Sequence, residues 1–229
     1  MDLIKIGEIA VEVSFKDIKN LHLSVHPPLG RVTVSAPQHI SLDKIRIYTA
    51  TKLPWIKKER GKILGQEREQ NKEYITRESH FYLGKRYLLL ITEAKASKVF
   101  IHHSKIELST QFPYSTIDKQ RTLYSFYRRE LRKLLNKLIN QYSSQMNLPV
   151  PKFGIRIMKT KWGSCVASNQ NLWFNIELAK KPLNCIEYIV VHELVHLIER
   201  HHNKNFVLLM NRYLPNWQVQ KKLLNELPV

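Results

Sequence analysis

The sequence predicts an α+β fold, and two patterns carry the prediction. Apolar residues alternate with a period of two through much of the N-terminal half, whereas helical periodicity governs most of the remainder. The alternating runs are Ile9, Val11, Val13 and Phe15, then Leu21, Leu23 and Val25, then Val32 and Val34. Each has the pattern of a half-buried strand. Pro27-Pro28-Leu29-Gly30 has the composition of a hairpin turn between the second and third runs.

Ser41 is placed to cap a helix carrying Ile45, Tyr48, Trp55 and Ile56, with an interruption at Pro54. A charged, exposed stretch near 57–73 follows. Tyr82 to Ile91, then Val99, Ile101, Ile106 and Leu108, predict further strands. No internal repeat is visible. From about Ile117 to Met146, Tyr124, Tyr127, Leu131, Leu134, Leu135, Leu138, Ile139 and Tyr142 fall on one arc at roughly 100° per residue. Arg121, Arg128, Arg129, Arg132, Lys133 and Lys137 fall opposite, on a face that reads as free of acids. It is either a surface for phosphates or the solvated side of a packed helix. Leu148-Pro149-Val150-Pro151 ends this helix, and Phe153, Ile155 and Ile157 and then Leu172 to Asn175 predict two more strands. The expected division is an N-terminal strand-rich accessory module, residues 1–112, and a C-terminal domain, residues 113–229.

At 229 residues with 43% hydrophobic residues the chain can build its own core. Two cysteines form no disulfide framework, which points to a reducing compartment. The N-terminus lacks the pattern of a signal peptide, and no run approaches the roughly 18 to 20 apolar residues of a membrane span, so the expected location is cytoplasmic. Thirty-seven Lys and Arg against 19 Asp and Glu give +18, an excess suited to a polyanion such as nucleic acid.

The segment Cys185 to Ile198 is apolar nearly all round, so it predicts a buried helix, and Asn184 with Glu187 has the form of a capping box at its start. Yet it contains His192, Glu193 and His196. Burying these groups is costly unless something compensates, and a metal ion would. Residues four apart share a helix face, so His192 and His196 can converge on one tetrahedral ion. Glu193, about 100° around the helix, is free to take a proton from a metal-activated water. His-Glu-x-x-His in a helix is the pattern of a zinc metalloprotease. A catalytic zinc also needs a third protein ligand. Glu199, His201, His202 and Glu226 are the candidates, and Glu199 lies too far along a continuing helix. His202 can return to the ion if the helix stops shortly after Ile198 and Asn203 caps a new one. His201 competes on geometry alone.

Lys161-Trp162-Gly163-Ser164-Cys165, Asn175, Tyr188 to Leu197 and the His-His-Asn-Lys-Asn-Phe stretch ending at Phe206 together resemble the YgjP-like family of metal-dependent hydrolases. More distantly they resemble the SprT-like zinc metallopeptidases of the zincin group. Lys161, His201 and Asn203 stand where the family commonly has Arg, Asn and Ser. The resemblance implies a zincin-like C-terminal metallopeptidase domain, a small sheet packed on a metal-bearing helix, with Zn2+ as cofactor and His202 as third ligand. It also implies a strand that aligns a peptide substrate, for which Asn175 and its neighbours are the candidates. Cys165 is not expected to act as a nucleophile, because no separate base is indicated. The primary expectation is a peptidase in which Glu193 activates water. The alternatives are a nucleic-acid-associated protein recruited through Arg121, Arg128, Arg129, Arg132 and Lys133, and a non-peptidase amidohydrolase using the same ion.

Overall fold

The computed structural model describes residues 2–26, 29–65, 72–111 and 113–227. It has a mixed α+β architecture of two compact units that divide between residues 68 and 69. In the first unit, β1 (Asp2–Ile6), β2 (Ile9–Lys16), β3 (His22–His26) and β4 (Arg31–Pro37) form one sheet in the order β1-β2-β4-β3. The register pairs Ile4 with Val11 and Val13 with Val34, so the alternating apolar side chains share one face. Helices α1 (Leu42–Thr51) and α2 (Leu53–Gly65) contribute Ile45 and Ile56 to that core. Ser41 occupies the N-cap position of α1 without making a side-chain cap bond. Pro54 lies in the first turn of α2, where a missing N–H is tolerated. Strands β3 and β4 form the expected hairpin, pairing His26 with Arg31, although Pro27 and Pro28 of its turn lie outside the described residues. Of the charged stretch near 57–73, residues up to Gly65 are helical, and 66–71 lie outside the described residues.

The second unit opens with another four-stranded sheet: β5 (Ser79–Tyr82), β6 (Lys85–Glu93), β7 (Lys98–His102) and β8 (Lys105–Thr110), in the order β5-β6-β8-β7. The 31-residue α3 (Thr116–Met146), about 45 Å long, packs on it. Leu89, Val99, Ile106 and Leu108 therefore join Leu123, Tyr127 and Leu135 in one apolar cluster. The contact division after residue 68 thus differs from the boundary expected after residue 112, because alternation reveals a strand's inward face but not which core receives it. A capping box, Ser115 with Asp118, starts α3, and Asn147 in the left-handed conformation ends it.

The same cluster extends through β9 (Lys152–Arg156), β10 (Gly163–Val166) and β11 (Asn171–Asn175), whose sheet has the order β10-β11-β9. Helix α4 (Leu183–Val195) packs against α3, α5 (Lys204–Tyr213), α6 (Trp217–Glu226) and β10. It is buried on nearly every side, as its composition predicts. The capping box expected at its start does not form. Pro182 is the N-cap, Asn184 Oδ1 accepts from the Cys185 N–H at 3.0 Å, and Glu187 accepts the Tyr142 hydroxyl at 2.7 Å. Among the described residues no helix is long and apolar enough to cross a membrane.

Candidate metal centre

Helix α4 ends at Val195, with His196 as its C-cap, and the chain turns through Leu197 to Arg200 before α5 begins. Asn203 is the N-cap of α5, its Oδ1 accepting the Phe206 N–H at 3.0 Å. This break brings His202 back over α4. Ring centroids of His192, His196 and His202 lie 4.8 to 5.0 Å apart, a nearly equilateral triangle. One ligand nitrogen from each lies within 4.8 Å of the others. His201 is exposed and outside this group, its backbone N–H donating to Glu199 Oε1 at 3.1 Å. Glu199 and Glu226 are likewise outside it.

The donor chemistry fits a metal ion. His196 Nδ1 donates to the Glu199 carbonyl at 3.1 Å, which fixes the tautomer and leaves Nε2 with a free lone pair. His192 and His202 turn Nε2 toward each other at 3.2 Å, while His192 Nδ1 is buried without a hydrogen-bond partner among the described residues. Burial, then the neighbouring His196, His202 and Lys221, push the His192 imidazolium down to about 3. Burial also lowers His196. Both imidazoles are thus neutral at pH 7, the state that binds metal.

Phe206 supplies the floor. Its ring lies 5.0, 4.9 and 4.6 Å from those of His192, His196 and His202, and the side chain is buried. A flat apolar surface touching all three imidazoles limits their rotation. Tyr188 meets His192 edge to face at 5.7 Å and stacks on Trp217. Sequence reading gave Phe206 no role of its own, although its position three residues after the Asn203 cap fixes it beneath His202.

Glu193 is 5% exposed, and burial pushes its carboxyl up to about 8 against the opposing pull of the Lys161 ammonium. Gly163 packs directly against it. A Cβ at that position would stand 2.6 Å from Glu193 Oε1 and 2.8 Å from Cγ, so only a glycine lets the strand pass this close. This gives the Trp162-Gly163-Ser164-Cys165 segment a physical reason that spacing alone did not supply. Cys165 follows on the same strand, its thiol pushed up to about 11 by burial and by Glu193, the opposite of an activated nucleophile. The segment and the histidines line one cleft of about 600 Å³.

Asn175 is not among the residues that line the cleft. It is 5% exposed, its Nδ2 donates to the carbonyls of Met158 at 2.8 Å and Lys161 at 3.0 Å, and its Oδ1 accepts from the N–H groups of Met158 and Glu177. Its backbone N–H bonds Trp162 O at 2.8 Å. Its side-chain amide and backbone N–H clasp the loop that precedes β10, and its Oδ1 also caps the turn at Glu177. The strand at the edge of the sheet beside the cleft is β10, while β11, which carries Asn175, is central.

The basic face of α3 is not free of acids. Arg129 and Lys133 both bond Glu130, at 2.8 and 3.1 Å, and Arg121 stands 3.9 Å from Asp118. Arg128 donates to the Ile155 carbonyl, and Arg132 lies over the Phe153 ring at 5.6 Å. These side chains tie α3 to its own carboxylates and to β9.

Residues 19–227 match the family described as YgjP-like, metallopeptidase domain. The chain belongs to the YgjP-like family. Among solved structures it is similar to the metallopeptidase zymogen abylysin of Pyrococcus abyssi: 16% identity, TM-score 0.38, covering 42% of this chain and 99% of that one. It is also similar to the zymogen jannalysin of Methanocaldococcus jannaschii, with 20% identity, TM-score 0.37, and 41% and 89% covered. No curated protein matches.

Proposed function

We propose that this chain is a zinc-dependent peptidase of the zincin type, with His192, His196 and His202 as metal ligands and Glu193 as the catalytic base. The observation that carries the reading is the triangle of imidazoles on a cleft wall, with a buried carboxyl one residue along the same helix. A zinc ion held there supplies Lewis acidity, lowering the pKa of a water to about 7 and polarising a peptide carbonyl. The charge of a bound ion would favour the ionised form of Glu193 despite its burial, and that carboxylate would take the proton from the attacking water and pass it to the leaving amine. Gly163 keeps that carboxyl against the backbone at the start of β10, limiting the directions in which it can swing. The outer edge of β10 pairs with no strand among the described residues, so an extended peptide can add to it through backbone hydrogen bonds. A strand edge beside an open cleft favours peptides over small amides.

Incubating zinc-loaded protein with a mixed peptide library and reading new termini by mass spectrometry tests the assignment. Glu193→Gln is expected to keep the zinc and lose about 10²- to 10⁴-fold in rate, because an amide cannot take up the proton. A Glu193→Gln enzyme with wild-type rates would show that the base lies elsewhere.

A further inference from the structure

The charged side chains that face the cleft are unevenly signed. Lys161 stands just before β10, and Arg200 lies on the turn four residues past His196. Both are exposed, and among the described residues neither is paired in a salt bridge across the cleft. Glu193 is the one carboxyl on the cleft wall among the described residues, and it is buried beneath Gly163. Glu199, next to Arg200 in sequence, is turned to the His201 N–H and does not line the cleft. The three histidines contribute no compensating negative charge, and a divalent ion among them would add two positive charges.

From this distribution we infer that the cleft selects peptides bearing a carboxylate, recognised by Lys161 and Arg200, and disfavours basic ones. The inference rests on the peptidase reading above but concerns recognition, not the chemical step. The walls of a cleft concentrate the field of its charges, so two like charges facing one space act together on whatever enters. Exposed pairs contribute little individually, and the two cations acting together are expected to give about three- to tenfold discrimination. Lysine's point charge accepts a carboxylate from many directions, and arginine's planar fork holds one in a bidentate geometry. The carboxylate can belong to an acidic side chain or to a free C-terminus, and both present the same group.

The test uses the full chain as its Glu193→Gln variant, loaded with zinc so that peptides bind without turnover. Dansyl-labelled peptides of one length, whose label carries no carboxylate, are compared by anisotropy: neutral with an amidated C-terminus, the same with a free C-terminus, amidated with an internal Asp, and amidated with an internal Lys. At least one carboxylate peptide is expected to bind about three- to tenfold tighter than the neutral amide, with the lysine peptide weakest. That advantage should disappear in Lys161→Gln/Arg200→Gln and invert toward the lysine peptide in Lys161→Glu/Arg200→Glu. Tighter binding of the free C-terminus identifies a terminal carboxylate as the recognised group, and tighter binding of the Asp peptide identifies a side chain. Absence of any carboxylate-dependent difference, whether from equal binding or from none, overturns the inference, as does an advantage that survives both double substitutions. Wild-type hydrolysis of neutral amides without carboxylate preference would overturn only this inference. Carboxylate-dependent binding with no wild-type hydrolysis would overturn only the peptidase reading.

Discussion

The two four-stranded sheets, β1 to β4 and β5 to β8, have the same topology but different tasks. In each, the first two strands are antiparallel, the second and fourth parallel, the third and fourth antiparallel, and a helix follows. Each begins with a two-residue hairpin loop containing a glycine at positive φ, Gly7 at 58° and Gly84 at 78°. The first sheet closes over a small apolar core. Its one buried polar residue among those described is Thr49, whose hydroxyl donates to the Ile45 carbonyl at 2.7 Å. The second sheet shares its core with α3 and α4, and the same unit buries His80, Lys119 and Glu193. One strand arrangement therefore encloses a small apolar core in one place and supports the histidine-bearing helix α4 in another. What separates them is that the second core also takes in ionisable side chains, from β5, α3 and α4.

Separate cores should melt separately. Leu135→Ala, at a fully buried site of α3, is expected to destabilise the second unit by about 2 to 5 kcal/mol, and Ile45→Ala to destabilise the first by a similar amount. Differential scanning calorimetry that showed either substitution moving both transitions equally would remove the distinction.

Gly163→Ala sharpens it at the point where β10 meets α4. The added methyl must displace the Glu193 carboxyl or the strand, and a loss of about 10- to 100-fold in turnover with zinc retained is the expected result. Full activity would mean that the contact is dispensable. Phe206→Leu has a smaller expected effect: looser imidazoles should weaken zinc affinity by about tenfold, measured by competition with a chelator.

The smallest effect is a graded one with pH. Burial lowers the His80 imidazolium below its ordinary 6.5, while the bonded Glu78 opposes that shift. A depressed folded pKa contributes stability above 6.5 that is lost as pH falls below it toward the folded value, because the unfolded chain binds the proton first. His80→Gln should therefore flatten the fall in stability of the second unit between pH 7 and 5 at fixed metal loading. An unchanged slope in chemical unfolding would show that His80 does not contribute.

Much of α4 and its histidine cluster was legible because the signals are local. Apolar periodicity, the four-residue histidine spacing and the Asn203 cap all lie within one stretch, and the cap explains why His202 and not His201 turns toward α4. The long helix α3 was legible for the same reason. Signals that depend on distant partners were not. Glu187 looks like a capping residue until Tyr142 takes its carboxylate, and Asn175 looks like a binding residue until the loop at 158–162 takes its amide. Gly163 acquires meaning only when β10 lies against a carboxyl thirty residues later. The shared topology of the two sheets left no repeat in the sequence, because pairing order is set by backbone geometry that many side chains satisfy.

The central claim is that three imidazoles hold a catalytic ion beside Glu193, and the third of them tests it most directly. Zinc stoichiometry by native mass spectrometry should find one ion per chain in the wild type, most of it lost in His202→Ala, and nearly all of it kept in His201→Ala. Loss of the ion from His201→Ala with retention in His202→Ala, or a wild type that binds no divalent ion, would contradict the account.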